Sequence, residues 1–173
     1  EDTLSLHDAL PIFEMMGDYF QCLNQVVERN GGVIVQYLGD SIFAMWNAPV
    51  ALADHADAAC GCALEMKTGI DALNAKWLAA GRPEFTTRIG LHTGVAVVGS
   101  VGAAERRQYT AMGDTVNVAS RLEGLNKEFG TTILVSASVR GACHDSFQFR
   151  ELGSAYARGR MAEINVFELV GRA

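Results

Sequence analysis

A chain of 173 residues, 49% of them hydrophobic and 20% charged, is long enough to bury a sizeable core and suits one globular domain. Its 14 Lys and Arg against 20 Asp and Glu leave a net charge of -6, which argues against nucleic acid or an anionic membrane surface as the main partner. No apolar run reaches the roughly 20 residues that span a bilayer, and the start lacks the basic and apolar segments of a secretory signal. The expected setting is therefore cytoplasmic, or the cytoplasmic side of a membrane protein.

From Ile12 to Arg29 the apolar positions Met15, Met16, Tyr19, Phe20, Leu23, Val26 and Val27 recur at three- and four-residue intervals, which predicts an amphipathic helix closed by Asn30-Gly31-Gly32. "VIVQYL" (33–38) and "SIFAMW" (41–46) then read as two strands of a hairpin turned at Gly39-Asp40 and ended by Pro49. Residues 53–79 are Ala-rich, with Leu64, Met66, Ile70, Leu73 and Trp77 on a helical period, and Gly81 and Pro83 stop that helix. "FTTRIGLH" (85–92) and "VAVVGS" (95–100) read as further strands joined at Thr93-Gly94. A strand-like Gln108-Tyr109-Thr110 leads through a Gly-Asp turn into a helix after Asp114 that carries Val118, Leu122 and Leu125 inward. "TTILVS" (131–136) is another strand, and "FQFREL" and "INVFEL" make a final strand pair. Helices that separate hairpins indicate an α+β fold, with a ferredoxin-like, mainly antiparallel sheet and helices packed on one face.

The spacing of glycines excludes a Walker phosphate loop and a dinucleotide-binding loop. Cys22, Cys60, Cys62 and Cys143 match no zinc or redox spacing and read as reduced, buried small residues. His7, His55, His92 and His144 lack metal-ligand spacing and read as structural. Asp40 sits in a Gly-Asp turn, where Asp is favoured for its geometry alone; a carboxylate at a hairpin tip is also a hard oxygen ligand for Mg²⁺. Asn117 and Arg121 stand four apart and share one helix face beside the apolar stripe, where a guanidinium suits phosphate oxygens and an amide suits a hydroxyl or ring oxygen.

Three stretches, "VQYLGDSIFAMWNAP", "IGLHTGVAVVGSVG" and "YTAMGDTVNVASRLE", resemble the class III adenylate/guanylate cyclase catalytic domain, in the right order and across roughly residues 13–170. The resemblance implies a head-to-tail homodimer with nucleotide at the subunit interface, each subunit completing its partner's site. It casts Asp40 as the second of two aspartates that hold two Mg²⁺ or Mn²⁺ ions. It likewise implies that Asn117 orients the ribose and Arg121 neutralises the α-phosphate, and Arg158 stands where many members have a Lys on the terminal phosphates. Gln36 and Thr110 occupy the base-selecting positions. Thr110 is similar to the bicarbonate-responsive adenylate cyclases, and Gln36 offers both a donor and an acceptor and so suits adenine or guanine.

The implied activity is conversion of ATP to cyclic AMP and pyrophosphate, in a signalling protein with an upstream regulatory or sensor domain. Two alternatives stay open: a guanylate cyclase, and a catalytically impaired cyclase-homology domain that binds nucleotide or dimerises. The family's opening strand, Phe-x-Asp-Ile-x-x-Phe-Thr with the first metal aspartate, is absent. Asp2 and Asp8 lack its aromatic and β-branched neighbours. Residues 1–12 are accordingly read as a non-family, artefactual segment, and residues 13–173 as an N-terminally incomplete catalytic domain short of one metal ligand and a central strand.

Overall fold

Met15, Tyr19, Leu23, Val26 and Val27 recur on one face of helix α1 (Leu6–Arg29), and all five are buried. The computed structural model describes residues 6–144, 146–156 and 163–173. In it α1 begins at Leu6 rather than Ile12 and runs through Pro11. The face it buries packs on Cys62, Met66, Ile70 and Trp77 of α2 (His55–Ala79). An ion pair between Arg29 and Glu65, 2.9 Å long, links the two helices at the surface. Between them the chain forms the predicted hairpin of β1 (Val33–Leu38) and β2 (Ser41–Met45), turned at Gly39-Asp40, and Ile34, Ile42 and Ala44 lie on the same apolar cluster.

The next segment departs from the sequence reading. Of residues 85–92 only β3 (Ile89–Leu91) joins a ladder, and it does not pair with the strand beyond Thr93-Gly94. That following strand, β4 (Val97–Ala103), pairs instead with β5 (Arg106–Met112), with Gly99 opposite Thr110. Phe85 is held outside the sheet by Asn74, whose side chain accepts from its N–H at 2.8 Å and donates to its carbonyl at 3.0 Å.

Helix α3 (Asp114–Phe129) follows, then β6 (Ile133–Ser136), a short α4 (Ala137–Ala142), and the long antiparallel pair β7 (Phe147–Tyr156) and β8 (Glu163–Arg172). The order β3-β6-β8-β7 makes a four-stranded sheet in which β3 runs parallel to β6 and the other pairings are antiparallel. Alternation along β6 explains its layering. Ile133 and Val135 face Cys60 and Ala63 of α2 and Val139 of α4, whereas Leu134 faces Val118 and Leu122 of α3. Helices therefore cover both faces of this sheet, not one, and all four residues of β6 are buried.

The strands form three hydrogen-bonded pieces rather than one sheet. Among the described residues β2 pairs only with β1, and β3 only with β6. Between these two edges lies a cavity of about 480 Å³, walled by Phe43 and Met45 of β2, Gly90 and Leu91 of β3, Ala59 of α2 and Ala119 of α3.

Candidate nucleotide site

The best-anchored element of the site is α3. Gly113, at φ +133, makes the sharp entry that a side chain would resist, and Thr115 Oγ1 donates to the Val95 carbonyl at 2.6 Å. Val118 and Leu122 bury the helix against the sheet. At Gly90 the contact is so close that a Cβ would stand 2.3 Å from the Glu123 nitrogen and 2.4 Å from the Ala119 oxygen, so only glycine fits beneath α3 there. Asn126, 1% exposed, completes the clamp. Its amide nitrogen donates to the Ile89 carbonyl at 2.9 Å, and its Oδ1 accepts from Thr131 Oγ1 at 2.8 Å.

Asn117 and Arg121 thus ride on a fixed helix. Asn117 is exposed and Arg121 half-buried, beside the stripe of Val118 and Leu122 as the spacing predicted. Among the described residues neither side chain has a protein hydrogen bond or ion pair, so the amide and the guanidinium keep their donors for a ligand.

Gln36 and Thr110 come from different hairpins, and the fold brings those hairpins together. Gln108 Nε2 donates to the Val35 carbonyl at 3.3 Å, which sets β5 against β1 with both half-buried residues close to the junction. Asp40 is exposed at the β1–β2 turn, where Gly39 takes a φ of +63. Its charge reaches into the core: with burial as the larger cause, it helps raise the pKa of the Tyr19 hydroxyl, which is hydrogen-bonded to Thr87 at 3.1 Å. Arg158 lies outside the described residues.

A pair of divalent ions needs more than one carboxylate. Among the described residues no three His, Cys, Asp or Glu side chains gather to hold an ion.

Two histidines that sequence spacing left as structural line the cavity between β2 and β3. His92 Nδ1 lies 2.8 Å from Ser136 Oγ, and His55 Nε2 lies 3.2 Å from Thr93 Oγ1. Their partners are separated by 44 and 38 residues, which no local motif encodes.

Comparison with known proteins places this fold among the nucleotide cyclase domains. The family described as "Adenylate and Guanylate cyclase catalytic domain" matches residues 1–171, and the chain belongs to it. Adenylate cyclase 1 of Rhizobium meliloti (strain 1021) is 54% identical over 160 residues, covering 92% of this chain and 24% of that protein. The chain thus spans about a quarter of that relative's length. Among solved structures, the guanylyl cyclase Cya2 superposes with a TM-score of 0.84 at 25% identity, covering 94% of this chain and 81% of that one. The adenylyl cyclase CyaB from P. aeruginosa gives a TM-score of 0.84 at 24% identity over 98% of this chain and 85% of its own, a likeness of fold. The α+β, ferredoxin-like cyclase fold expected from the sequence is the one observed, with the corrections of pairing and layering given above. No helix among the described residues is long and apolar enough to cross a membrane.

Proposed function

We propose that this chain is an adenylate cyclase domain, converting ATP to cyclic AMP and pyrophosphate. The observation that carries the reading is the open pair on α3: an amide and a half-buried guanidinium, one helical turn apart, on a helix clamped to the sheet by Gly90 and Asn126. In the reaction the ribose 3′-oxygen attacks the α-phosphorus and its proton passes to water, a P–O bond forms, and the bond to the α,β-bridging oxygen breaks as pyrophosphate leaves. Asn117 holds the ribose, and Arg121 spreads positive charge over the α-phosphate as negative charge builds there. Gln36 and Thr110 select adenine, and Arg158 takes the terminal phosphates. Asp40 is one carboxylate toward Mg²⁺ or Mn²⁺, whose charge assists at the phosphates when bound.

ATP as substrate draws support from the relative in Rhizobium meliloti, whose name is adenylate cyclase. A homodimer draws support from the apolar surface of the β4–β5 region, where Val95 is 94% exposed and Val97 69%, with Tyr109 and Met112 beside them. An upstream regulatory domain and a cytoplasmic setting complete the reading.

The test is cyclic AMP and cyclic GMP formation from ATP and GTP with Mn²⁺. It compares this chain with one whose residues 1–12 are replaced by a strand of the form Phe-x-Asp-Ile-x-x-Phe-Thr. Cyclic AMP from either chain supports the assignment. Silence in both favours the second reading, a nucleotide-binding or dimerisation module. Cyclic GMP in excess would make the domain a guanylate cyclase.

A further inference from the structure

Cys60 lies in α2 and Cys143 just past the end of α4, 83 residues apart in sequence, yet their sulfurs stand 3.5 Å from one another. Both are free thiols. Cys60 is fully buried beneath the sheet, with Ile133, Val135 and Phe147 in the same cluster, and Cys143 is half-buried at the cluster's margin. We propose that Cys60 and Cys143 are an oxidative modification site that closes to an intramolecular disulfide when a hydroperoxide reaches Cys143.

The geometry favours this pair over any other. Among the described residues Cys22 and Cys62 have no sulfur beside them, so a two-electron oxidation has one intramolecular outlet. A disulfide bond is about 2.05 Å long, so the two sulfurs need to approach by roughly 1.5 Å. Cys143 has extended backbone, φ -78 and ψ 146, and follows α4 rather than lying within it. Its side chain can turn toward Cys60 without unwinding a helix.

The two sulfurs are not equivalent. Burial raises both thiols, so neither is a fast nucleophile at neutral pH. At Cys143 the hydrogen-bonding contact with Cys60 and the nearby Arg140 guanidinium work against that rise, while the Asp57 carboxylate adds to it; at Cys60 every neighbouring influence raises it further. Asp57 is engaged with the adjacent His144, accepting from its backbone N–H at 3.1 Å and pairing with its ring Nδ1.

Because Cys60 is fully buried and Cys143 only half-buried, a peroxide reaches Cys143, which is the attacking sulfur. Its thiolate attacks the terminal peroxide oxygen, the O–O bond breaks, and the departing oxygen leaves as water or an alcohol after taking a proton. Cys143 is then a sulfenic acid. The Cys60 sulfur attacks it, the S–S bond forms, the S–O bond breaks, and the Cys60 proton leaves with the hydroxyl as water. Each sulfur has lost one electron and the peroxide has gained two.

The bond would join α2 to the end of α4 beside the cavity already described, since Ala59 precedes Cys60 and Val139 lies one helical turn before Cys143, and both line that cavity. It fixes the wall of a space that borders β2 and β3.

The experiment exposes the folded chain to hydrogen peroxide, alkylates the remaining thiols after unfolding, and maps the cysteine peptides by mass spectrometry. The expected result is a Cys60–Cys143 linked peptide, an intact mass lower by about 2 Da, alkylated Cys22 and Cys62, and reversal by dithiothreitol. The thermal midpoint should rise by roughly 5–10 °C on oxidation. Cys60→Ala should leave Cys143 as a sulfenic acid that dimedone traps, and Cys143→Ser should leave Cys60 unoxidised. Alkylatable Cys60 and Cys143 after treatment, a link through Cys22 or Cys62, or links only between chains would each overturn the proposal. Absence of a dimedone adduct at Cys143 in peroxide-treated Cys60→Ala would likewise overturn it.

Discussion

Gln108 donates its side-chain amide to the Val35 carbonyl across 3.3 Å, and this bond holds the β5 strand against β1. Gln36 follows Val35 and Thr110 lies two residues after Gln108 in the chain, so the two base-selecting candidates sit on hairpins that this contact joins. Gln108→Ala removes an exposed hydrogen bond and should cost only about 0.5–1 kcal/mol of stability. It should reduce discrimination between ATP and GTP by a larger factor than it reduces total turnover. Parallel assays with both nucleotides check this, and unchanged discrimination would show that Gln108 does not position the pair.

Gly90→Ala places a methyl group against backbone atoms of α3 at 2.3 and 2.4 Å, and backbone cannot rotate aside as a side chain does. The cost should be roughly 1–3 kcal/mol, with α3 pushed off β3. Urea unfolding gives the stability, and amide exchange at residues 118–126 reports the displacement. An unaltered midpoint would contradict the close approach.

Asn126→Ala should be comparably costly. It removes the side-chain donor to the Ile89 carbonyl and the acceptor of Thr131 Oγ1 in a half-buried setting, and empties the space of an Asn126 side chain that is itself buried. A loss of about 2–3 kcal/mol is expected, read from the urea midpoint. A loss below about 0.5 kcal/mol would mean that water replaces the amide freely.

Burial pushes the Cys62 thiol up to about 12 and raises Cys60 as well, from an ordinary value of 9.0. Both are therefore neutral in the fold well above the pH at which the unfolded chain ionises them. Their contribution to stability is complete below pH 9.0 and is lost as pH rises toward the folded values, because the unfolded chain then holds fewer protons than the folded one. The slope should be roughly 1.4 kcal/mol per pH unit for each thiol. Urea unfolding at about pH 8 and 10.5 should show the decline, and Cys62→Ala should flatten it by less than half, because burial also raises the thiols of Cys60, Cys22 and Cys143. Equal slopes in the two proteins would contradict the account.

Much of the local structure was legible because it follows from periodicity. The stripe from Met15 to Val27, the β1–β2 hairpin and the buried face of α3 all stand where apolar spacing placed them. Pairing was less legible. β3 finds β6, and β4 finds β5, because the chain leaves the sheet after Leu91, whereas Thr93-Gly94 looks locally like a turn between partners. Coverage of both sheet faces was foreshadowed by the unbroken apolar run Ile133-Leu134-Val135, which a one-sided strand would not need. Asn117 and Arg121 were visible as a four-residue spacing. The Asn126 clamp and the Cys60–Cys143 contact depend on residues brought together only by folding.

The central claim is that the open face of α3 performs the cyclisation of ATP. The most direct test measures the rate of cyclic AMP formation, together with ATP binding and circular dichroism, for the wild-type chain and for Asn117→Ala and Arg121→Ala, all in the form shown to be active. Because Asn117 is exposed and Arg121 half-buried, both variants should keep the fold. Each should lose on the order of 10²-fold or more in turnover, with a smaller change in ATP affinity. Cyclic AMP formation at the wild-type rate by either variant would contradict the assignment of that residue, and by both would overturn the account.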